Sequence, residues 1–118
     1  MTSFNEDVYS VTKQIPKGSV STYKLIAEAI GNPKSFRAVG RALSINPYAP
    51  KVPCHRVILS NGKIGGFFGE GDIQSDNVKK KIEILSLEGI TIDKNGRVDN
   101  FLSVLFKPEK MVCIEFED

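Results

Sequence analysis

The chain has 118 residues, of which 41% are hydrophobic, and a formal net charge of +2; this suits one compact domain with a modest core. No apolar run approaches the length of a membrane span and no signal peptide opens the chain, so we expect an intracellular protein, cytoplasmic or, in a eukaryote, nuclear. Two distant cysteines and one histidine exclude a zinc site with four Cys and His ligands.

The first helix is predicted over 4–15. Ser3 can supply its N-cap, and four apolar side chains fall on one stripe at helical spacing. They are Phe4, Val8, Val11 and Ile15. Pro16-Lys17-Gly18 then ends the helix.

Two further helices are predicted before residue 45. Thr22 can cap a second helix over 23–30, which Gly31 ends. Asn32-Pro33 offers a cap and a first-turn proline for a third helix that reaches about Ser44. Two short helices joined by a tight turn with glycine are typical of a helix-turn-helix, although any small helical hairpin has the same pattern.

The middle of the chain is predicted to form turns and a hairpin. Asn46-Pro47 begins a turn-rich bridge, and Asn61-Gly62 between the apolar runs 56–59 and 63–64 is a strong hairpin signal. The glycine-rich stretch 65–71 is expected to be a flexible loop, which either shapes a binding site or only connects two elements.

The last part of the chain is predicted to contain a helix and short strands. Ser75 can cap the helix, which ends near Glu88 at the stop signal Gly89. Its apolar stripe is Val78, Ile82 and Leu85. Short strands follow with a turn at 93–96. We expect one domain over 1–106 and a tail over 107–118 that is an edge strand or a linker. The predicted class is α+β: a small single domain, mainly helical, with a winged helix-turn-helix and short β-hairpins.

Charge is distributed unevenly along the chain. Residues 1–60 carry eight Lys or Arg and three Asp or Glu, a surplus of five positive charges. Residues 61–118 carry eight and eleven, a surplus of three negative charges. The basic half is suited to face phosphates, although an ordinary solvated surface has a similar composition.

The most informative segment is 52–57, where the only histidine directly follows one of the two cysteines. A thiol is a strong nucleophile only as the thiolate, which near neutral pH requires a base, a nearby cation or both. His55 is a candidate base for Cys54, Arg56 is a candidate cation, and Pro53 restricts the backbone that enters the cysteine. Because neighbours on an extended segment point to opposite sides, action of His55 through a water stays open. The alternative is a buried structural cysteine beside a surface histidine.

The string Pro53-Cys54-His55-Arg56-Val57 resembles the active-site motif of the O6-alkylguanine-DNA alkyltransferases. Other blocks similar to this family follow in family order over roughly residues 4–100. They are Ser21-Thr22-Tyr23, Gly31-Asn32-Pro33-Lys34, Arg37-Ala38-Val39-Gly40, Asn46-Pro47, Gly65-Gly66 and Leu87-Glu88-Gly89. The resemblance implies DNA repair by irreversible transfer of an alkyl group from O6 of guanine to Cys54. It also implies base flipping, a single turnover, no metal, no cofactor, and a monomer that binds double-stranded DNA containing O6-alkylguanine.

The resemblance assigns four catalytic residues. Cys54 would be the nucleophile, His55 the base that acts through a water, and Glu88 the group that orients and polarises His55. Asn46 would brace the turn that presents the active-site segment. The position of Glu88 supports its role independently, because a carboxylate near a buried stripe at a helix C-terminus opposes the helix dipole and needs a partner. The alternative is a frayed, solvated glutamate.

The resemblance also assigns a DNA-binding surface. A stacked guanine must be extruded to reach a deep thiolate; Tyr23 would help to rotate the nucleotide, and Arg37 would fill the vacated stack. The third helix would lie in the minor groove, kept thin by Ala38, Gly40 and Ala42. Substrate-binding residues would be Tyr23, Pro53, Val57, Phe67 and Phe68. DNA-binding residues would be Tyr23, Lys24, Ser35, Phe36, Arg37, Ala38, Gly40, Arg41 and Arg56.

The chain departs from the family pattern at several positions. Phe36 and Arg41 stand where small residues are usual, and Phe67-Phe68 stands where the best-known members have Tyr-Ser. A second function therefore stays open, that of an alkyltransferase-like protein that binds O6-alkylguanine without repairing it. In such proteins the cysteine is replaced, typically by tryptophan, whereas this chain has Cys54. A third class, a thiol redox protein, lacks support because no Cys-x-x-Cys motif is present.

Overall fold

A computed structural model describes residues 3–65 and 76–110 of the protein. Its elements in these ranges are five α-helices and one parallel sheet of two short strands, and the predicted α+β class is confirmed. The helices are α1 (Phe4–Thr12), α2 (Tyr23–Ile30), α3 (Phe36–Ser44), α4 (Asp76–Leu87) and α5 (Phe101–Val104). The strands are β1 (Ser21–Thr22) and β2 (Val57–Ile58). None of the helices in the described ranges is long and apolar enough to cross a membrane.

Helix α1 begins as predicted and ends earlier. The Ser3 hydroxyl accepts a hydrogen bond from the Glu6 N–H at 3.2 Å, so the N-cap is confirmed. The helix ends at Thr12 because the next turn tightens: the Ile15 N–H donates to the Thr12 carbonyl, three residues back. Ile15 still reaches the core, with 1% of its surface exposed.

The helix-turn-helix consists of α2 and α3. The Thr22 hydroxyl caps α2 by accepting from the Leu25 N–H at 3.0 Å, and Gly31 ends it in the left-handed conformation with φ of 94°. The predicted third helix is divided, because a 3₁₀ turn over Pro33–Ser35 precedes α3 and the Asn32 side chain makes no capping bond. As a result, Arg37 is the second residue of α3.

Strand β2 pairs with β1 and not across the predicted hairpin. Ser21 lies opposite Val57 in the parallel pair. The turn at Asn61-Gly62 does form, since the Leu59 N–H donates to the Lys63 carbonyl at 2.9 Å, but Lys63 then pairs with a later segment. That later segment, 91–99, forms the clearer hairpin around the predicted turn at 93–96.

Two apolar clusters stabilise the domain. The first joins α1, α2 and α3 and includes Cys54, whereas the second lies between α4, β2 and the 91–99 hairpin. The predicted α4 stripe is correct for Val78 and Leu85, but Ile82 is only partly buried. The expected cap Ser75 lies outside the described residues. The segment after α5 lies beside the residue that precedes β1, since the Phe106 N–H donates to the Val20 carbonyl at 2.7 Å.

Candidate active site

The candidate nucleophile lies at the junction of the helical core and β2. Cys54 begins a 3₁₀ turn (Cys54–Arg56), its thiol is free, and 5% of the residue is exposed. Burial raises the pKa of the Cys54 thiol, and this effect outweighs the opposing effects of the Asn46 side chain and the Lys81 charge. Ionisation of this thiol therefore depends on groups that stabilise the thiolate.

Asn46 spans the turn that leads into the cysteine. Its side-chain amide donates to the Val52 carbonyl at 2.9 Å, and its side-chain oxygen accepts from the Tyr48 N–H at 2.9 Å. The side chain also contacts Cys54 and lowers the pKa of the thiol. The amide is thus placed to hold both the turn and the sulfur.

Glu88 joins two basic side chains behind the cysteine. His55 Nε2 lies 3.0 Å from Glu88 Oε2, and Arg56 donates to both carboxylate oxygens at 2.9 and 2.7 Å. Burial would raise the pKa of Glu88, but the hydrogen bonds from Arg56 and His55 outweigh it and hold the pKa below its usual value. We predicted from the sequence that the Glu88 carboxylate needs a partner, and His55 and Arg56 are these partners.

The burial of His55 favours its neutral form. Burial lowers the pKa of His55, and the hydrogen bond that His55 donates to Glu88 only partly offsets this effect. A neutral imidazole that donates from Nε2 to Glu88 keeps Nδ1 as a proton acceptor. The pair His55 and Glu88 can thus accept a proton from a nearby thiol or water.

The guanidinium of Arg56 is held by partners other than Cys54. Besides the two bonds to Glu88, its guanidinium donates to the Ile15 carbonyl at 2.8 Å. Only 17% of its side chain is exposed. These contacts occupy the guanidinium with Glu88 and with the carbonyl of Ile15, which follows α1, and the predicted contact of Arg56 with DNA stays a prediction.

A second basic side chain, that of Lys81, acts on the cysteine and was not predicted from the sequence. It is completely buried, and its Nζ donates to the carbonyls of Val57 at 2.7 Å and Ile64 at 2.8 Å. Burial lowers the pKa of Lys81 to about 7, with Cys54 acting in the opposite direction. The sequence did contain a signal for the burial of Lys81. Positions 78, 81 and 85 share one face of the helix, so this lysine lies within the apolar stripe of α4.

The second half of the site is a concavity of about 410 Å³ beside α3. Five predicted residues meet here, with Leu59, Ser60 and Asn61 on the opposite wall. The five are Tyr23, Lys24, Phe36, Arg37 and Gly40. Arg37, Lys24 and Phe36 are exposed, and burial raises the pKa of Tyr23 to about 12, so its hydroxyl stays a donor. A cationic rim around an apolar floor can bind a polyanion that carries flat rings.

The other predicted residues lie in different places. Ser35, Ala38 and Arg41 belong to α3 or its lead-in but do not line the concavity. Pro53 and Val57 are buried beside Cys54, and Phe67 and Phe68 fall outside the described residues. Ala42 does not thin the exposed face of α3 as expected, because it faces the core and its carbonyl accepts from the Tyr9 hydroxyl at 2.8 Å.

Within 3–65 and 76–110, no group of three or more His, Cys, Asp or Glu side chains is arranged to hold a metal ion.

A model of the family described as 6-O-methylguanine DNA methyltransferase, DNA binding domain, matches residues 3–90. The chain is 48% identical over 88 residues to a methylated-DNA–protein-cysteine methyltransferase of Methanosarcina acetivorans, covering 75% of this chain and 52% of that protein. It is 38% identical over 103 residues to a bifunctional methyltransferase/endonuclease of Thermoplasma volcanium, covering 87% and 30%. The chain thus spans about half or less of the length of these curated relatives.

Solved structures with the same fold fall into two groups. The Mycobacterium tuberculosis protein OGT in complex with DNA is 39% identical with a TM-score of 0.65, over 75% of this chain and 50% of that one. The Schizosaccharomyces pombe protein Atl1, bound to damaged DNA containing O6-carboxymethylguanine, is 33% identical with a TM-score of 0.73. That match covers 92% of this chain and all of Atl1.

Proposed function

Because the chain belongs to the 6-O-methylguanine DNA methyltransferase family, we propose that it repairs DNA by moving an alkyl group from O6 of guanine onto Cys54. The observation that carries the proposal is the buried cysteine held by Asn46, next to a histidine that is paired with Glu88. This combination supports the proposal, because a nucleophile, a base and a group that orients the base are the parts that covalent catalysis needs. We propose that the chain acts as a monomer on double-stranded DNA.

In the proposed reaction, His55 accepts the Cys54 proton through a water, and Glu88 stabilises the imidazolium that results. The thiolate attacks the alkyl carbon, a carbon–sulfur bond forms, and the carbon–O6 bond breaks with its electron pair left on guanine. Main-chain groups around Cys54, Val57 and Phe68 would bind the edge of the guanine. The thioether does not hydrolyse readily, so each molecule reacts once and no cofactor takes part.

The burial of Cys54 requires that the damaged nucleotide leave the helix stack before it can react. In the proposal, Tyr23 helps to rotate the nucleotide and Arg37 fills the space that it leaves, while α3 lies in the minor groove. Their shared concavity and the exposure of Arg37 support these roles. The remaining proposed DNA contacts are Lys24, Ser35, Phe36, Ala38, Gly40, Arg41 and Arg56.

A second candidate function is binding of O6-alkylguanine without repair. One observation favours it, namely that the chain covers all of Atl1, whose structure holds damaged DNA. The presence of Cys54 favours repair, because a protein that only binds the lesion has no use for a buried nucleophile with this surrounding. We therefore propose repair as the primary function.

We expect Arg37→Ala to slow repair of O6-methylguanine in duplex DNA by about tenfold or more, since stacking in the vacated space contributes about 1–3 kcal/mol. Reaction with free O6-benzylguanine should stay close to that of the unchanged chain, because a free base needs no extrusion. Single-turnover rates on the two substrates measure this difference.

Lys80→Ala is a matched control, since Lys80 is an exposed cation on α4, away from the concavity. It should leave both rates unchanged. An equal loss on both substrates in Arg37→Ala would remove this residue from base extrusion.

A further inference from the structure

A lysine occupies a position on α4 where packing alone favours an apolar side chain. Lys81 has 0% exposure and lies on the same helix face as Val78 and Leu85, both of which are also fully buried. Its neighbours Lys79 and Lys80 are exposed. Burial of an ammonium costs free energy unless charges and hydrogen bonds compensate for it. We therefore expect Lys81 to have a role that an apolar residue could not have.

Its hydrogen bonds join α4 to the two segments that border Cys54. The Nζ atom donates to the carbonyl of Val57, the first residue of β2 and three residues after the cysteine. It also donates to the carbonyl of Ile64, which follows the turn at 59–63. One side chain therefore links the strand behind the cysteine, the segment that leads to residue 66, and α4.

The charge of Lys81 acts on the cysteine and its histidine neighbour. Burial raises the pKa of Cys54 and lowers that of Lys81, and each of the two groups opposes the effect of burial on the pKa of the other. Burial is the main cause that lowers the pKa of His55, and the charge of Lys81 adds to it, which favours a neutral imidazole. In the described part of the chain, Lys81 is the cation that acts on Cys54, since the guanidinium of Arg56 is bound to Glu88.

We propose that Lys81 is a positioning residue that stabilises the Cys54 thiolate through its buried ammonium. When the proton leaves the thiol, thiolate and ammonium form a pair in a site with little water, where each charge favours the other. The two carbonyl bonds fix the ammonium beside β2, whose first residue follows Cys54 by three positions, so the stabilisation needs no rearrangement. The inference rests on the proposed function only in that the thiolate would be used for alkyl transfer. The pair of thiolate and ammonium is itself a property of the folded chain.

The test is the pH dependence of the reaction of Cys54 with iodoacetamide in the full chain, without DNA. The rate is followed on the peptide that contains Cys54, which separates it from Cys113. In Lys81→Met and Lys81→Gln we expect the midpoint to rise by about one pH unit or more, because the thiolate loses the positive charge that favours it. The midpoint is the better readout, because a higher pKa also makes the thiolate intrinsically more nucleophilic.

Two comparisons distinguish charge from structure. Lys81→Gln keeps a donor for the carbonyls and removes the charge, so a purely structural role predicts a midpoint like that of the unchanged chain. Lys80→Met removes an exposed charge one residue away and should leave the midpoint in place. An unchanged midpoint in folded Lys81→Gln would overturn the proposal.

A second measurement does not depend on the folding of Lys81 variants. In the chain with Lys81 intact, the Nζ titration is followed by NMR, with and without Cys54→Ser. Because the coupling is reciprocal, we expect the pKa of Lys81 to fall when the thiolate is removed, and an unchanged pKa would overturn the pair. Neither assay contains DNA, so a negative result here leaves alkyl transfer untested, and failure of alkyl transfer leaves these shifts in place.

Discussion

Alkyl transfer from DNA is expected to disappear entirely in Cys54→Ala, while binding to duplex DNA with O6-methylguanine persists. The sulfur is the atom that accepts the alkyl group in the proposed reaction. The residues proposed to hold DNA, among them Tyr23 and Arg37, line a concavity whose lining does not include Cys54. Transfer of an isotope-labelled methyl group and a gel shift with the same duplex measure the two properties separately.

Cys54→Ser is the matched companion, since it keeps a polar atom for the Asn46 side chain and a nearly unchanged volume. It should also fail to accept the label, because a serine hydroxyl without strong activation is a poor nucleophile at neutral pH. Label on either variant would show that another residue is the acceptor. If both variants fold but no longer bind the lesion, Cys54 takes part in recognition of the lesion as well as in alkyl transfer.

The second large effect is expected for stability, in Arg56→Met. The arginine donates twice to Glu88 and once to the Ile15 carbonyl, and 10% of the Glu88 side chain is exposed. Removing one partner of such a pair leaves the other charge poorly compensated. We expect the free energy of unfolding at pH 7 to fall by about 3 kcal/mol, as measured by urea denaturation. Arg41→Met, which changes an exposed arginine on α3, should change it little.

The loss in Arg56→Met should also depend on pH. The pKa of Glu88 is held below its usual value of 4.5 in the folded protein, so the ionised carboxylate contributes stability above that pH. This contribution is lost as the pH falls through the folded pKa, when the carboxylate gains a proton. The difference in stability between the unchanged chain and Arg56→Met should therefore be largest near neutral pH and shrink below 4.5. A loss no larger than that of Arg41→Met, or one independent of pH, would show that the contacts of Arg56 contribute little.

Local signals predicted much of the helical structure. The caps at Ser3 and Thr22 and the stop at Gly31 depend on neighbouring residues alone, and each is present in the structure. The requirement of Glu88 for a partner also followed from its helix position, and His55 and Arg56 meet it. In each of these predictions the cause lies within one helix or in one charged side chain that needs a partner.

The errors arose where distant parts of the chain decide the outcome. Because Arg56 lies close to Cys54 in the sequence, it was the candidate cation for the thiolate. The direction of its side chain, however, depends on the turn that carries it and on its distant partner, Glu88. The pairing of β2 with β1 joins residues that are 36 positions apart, Ser21 and Val57. The local signal at Asn61-Gly62 therefore predicted the turn correctly but could not predict the strand with which β2 pairs. Lys81 was overlooked because a lysine is expected at the surface unless its site is known.

The central claim is that Cys54 takes an alkyl group from DNA, and the mass of the protein tests it most directly. The chain is mixed with duplex DNA that carries one O6-methylguanine, and the intact protein and its peptides are weighed by mass spectrometry. The account predicts a gain of one CH₂ unit on the peptide that contains Cys54, with saturation at one group per protein as DNA is added in excess. No gain in mass, with the lesion-bearing duplex still bound in a gel shift, would contradict repair and assign the chain to lesion binding.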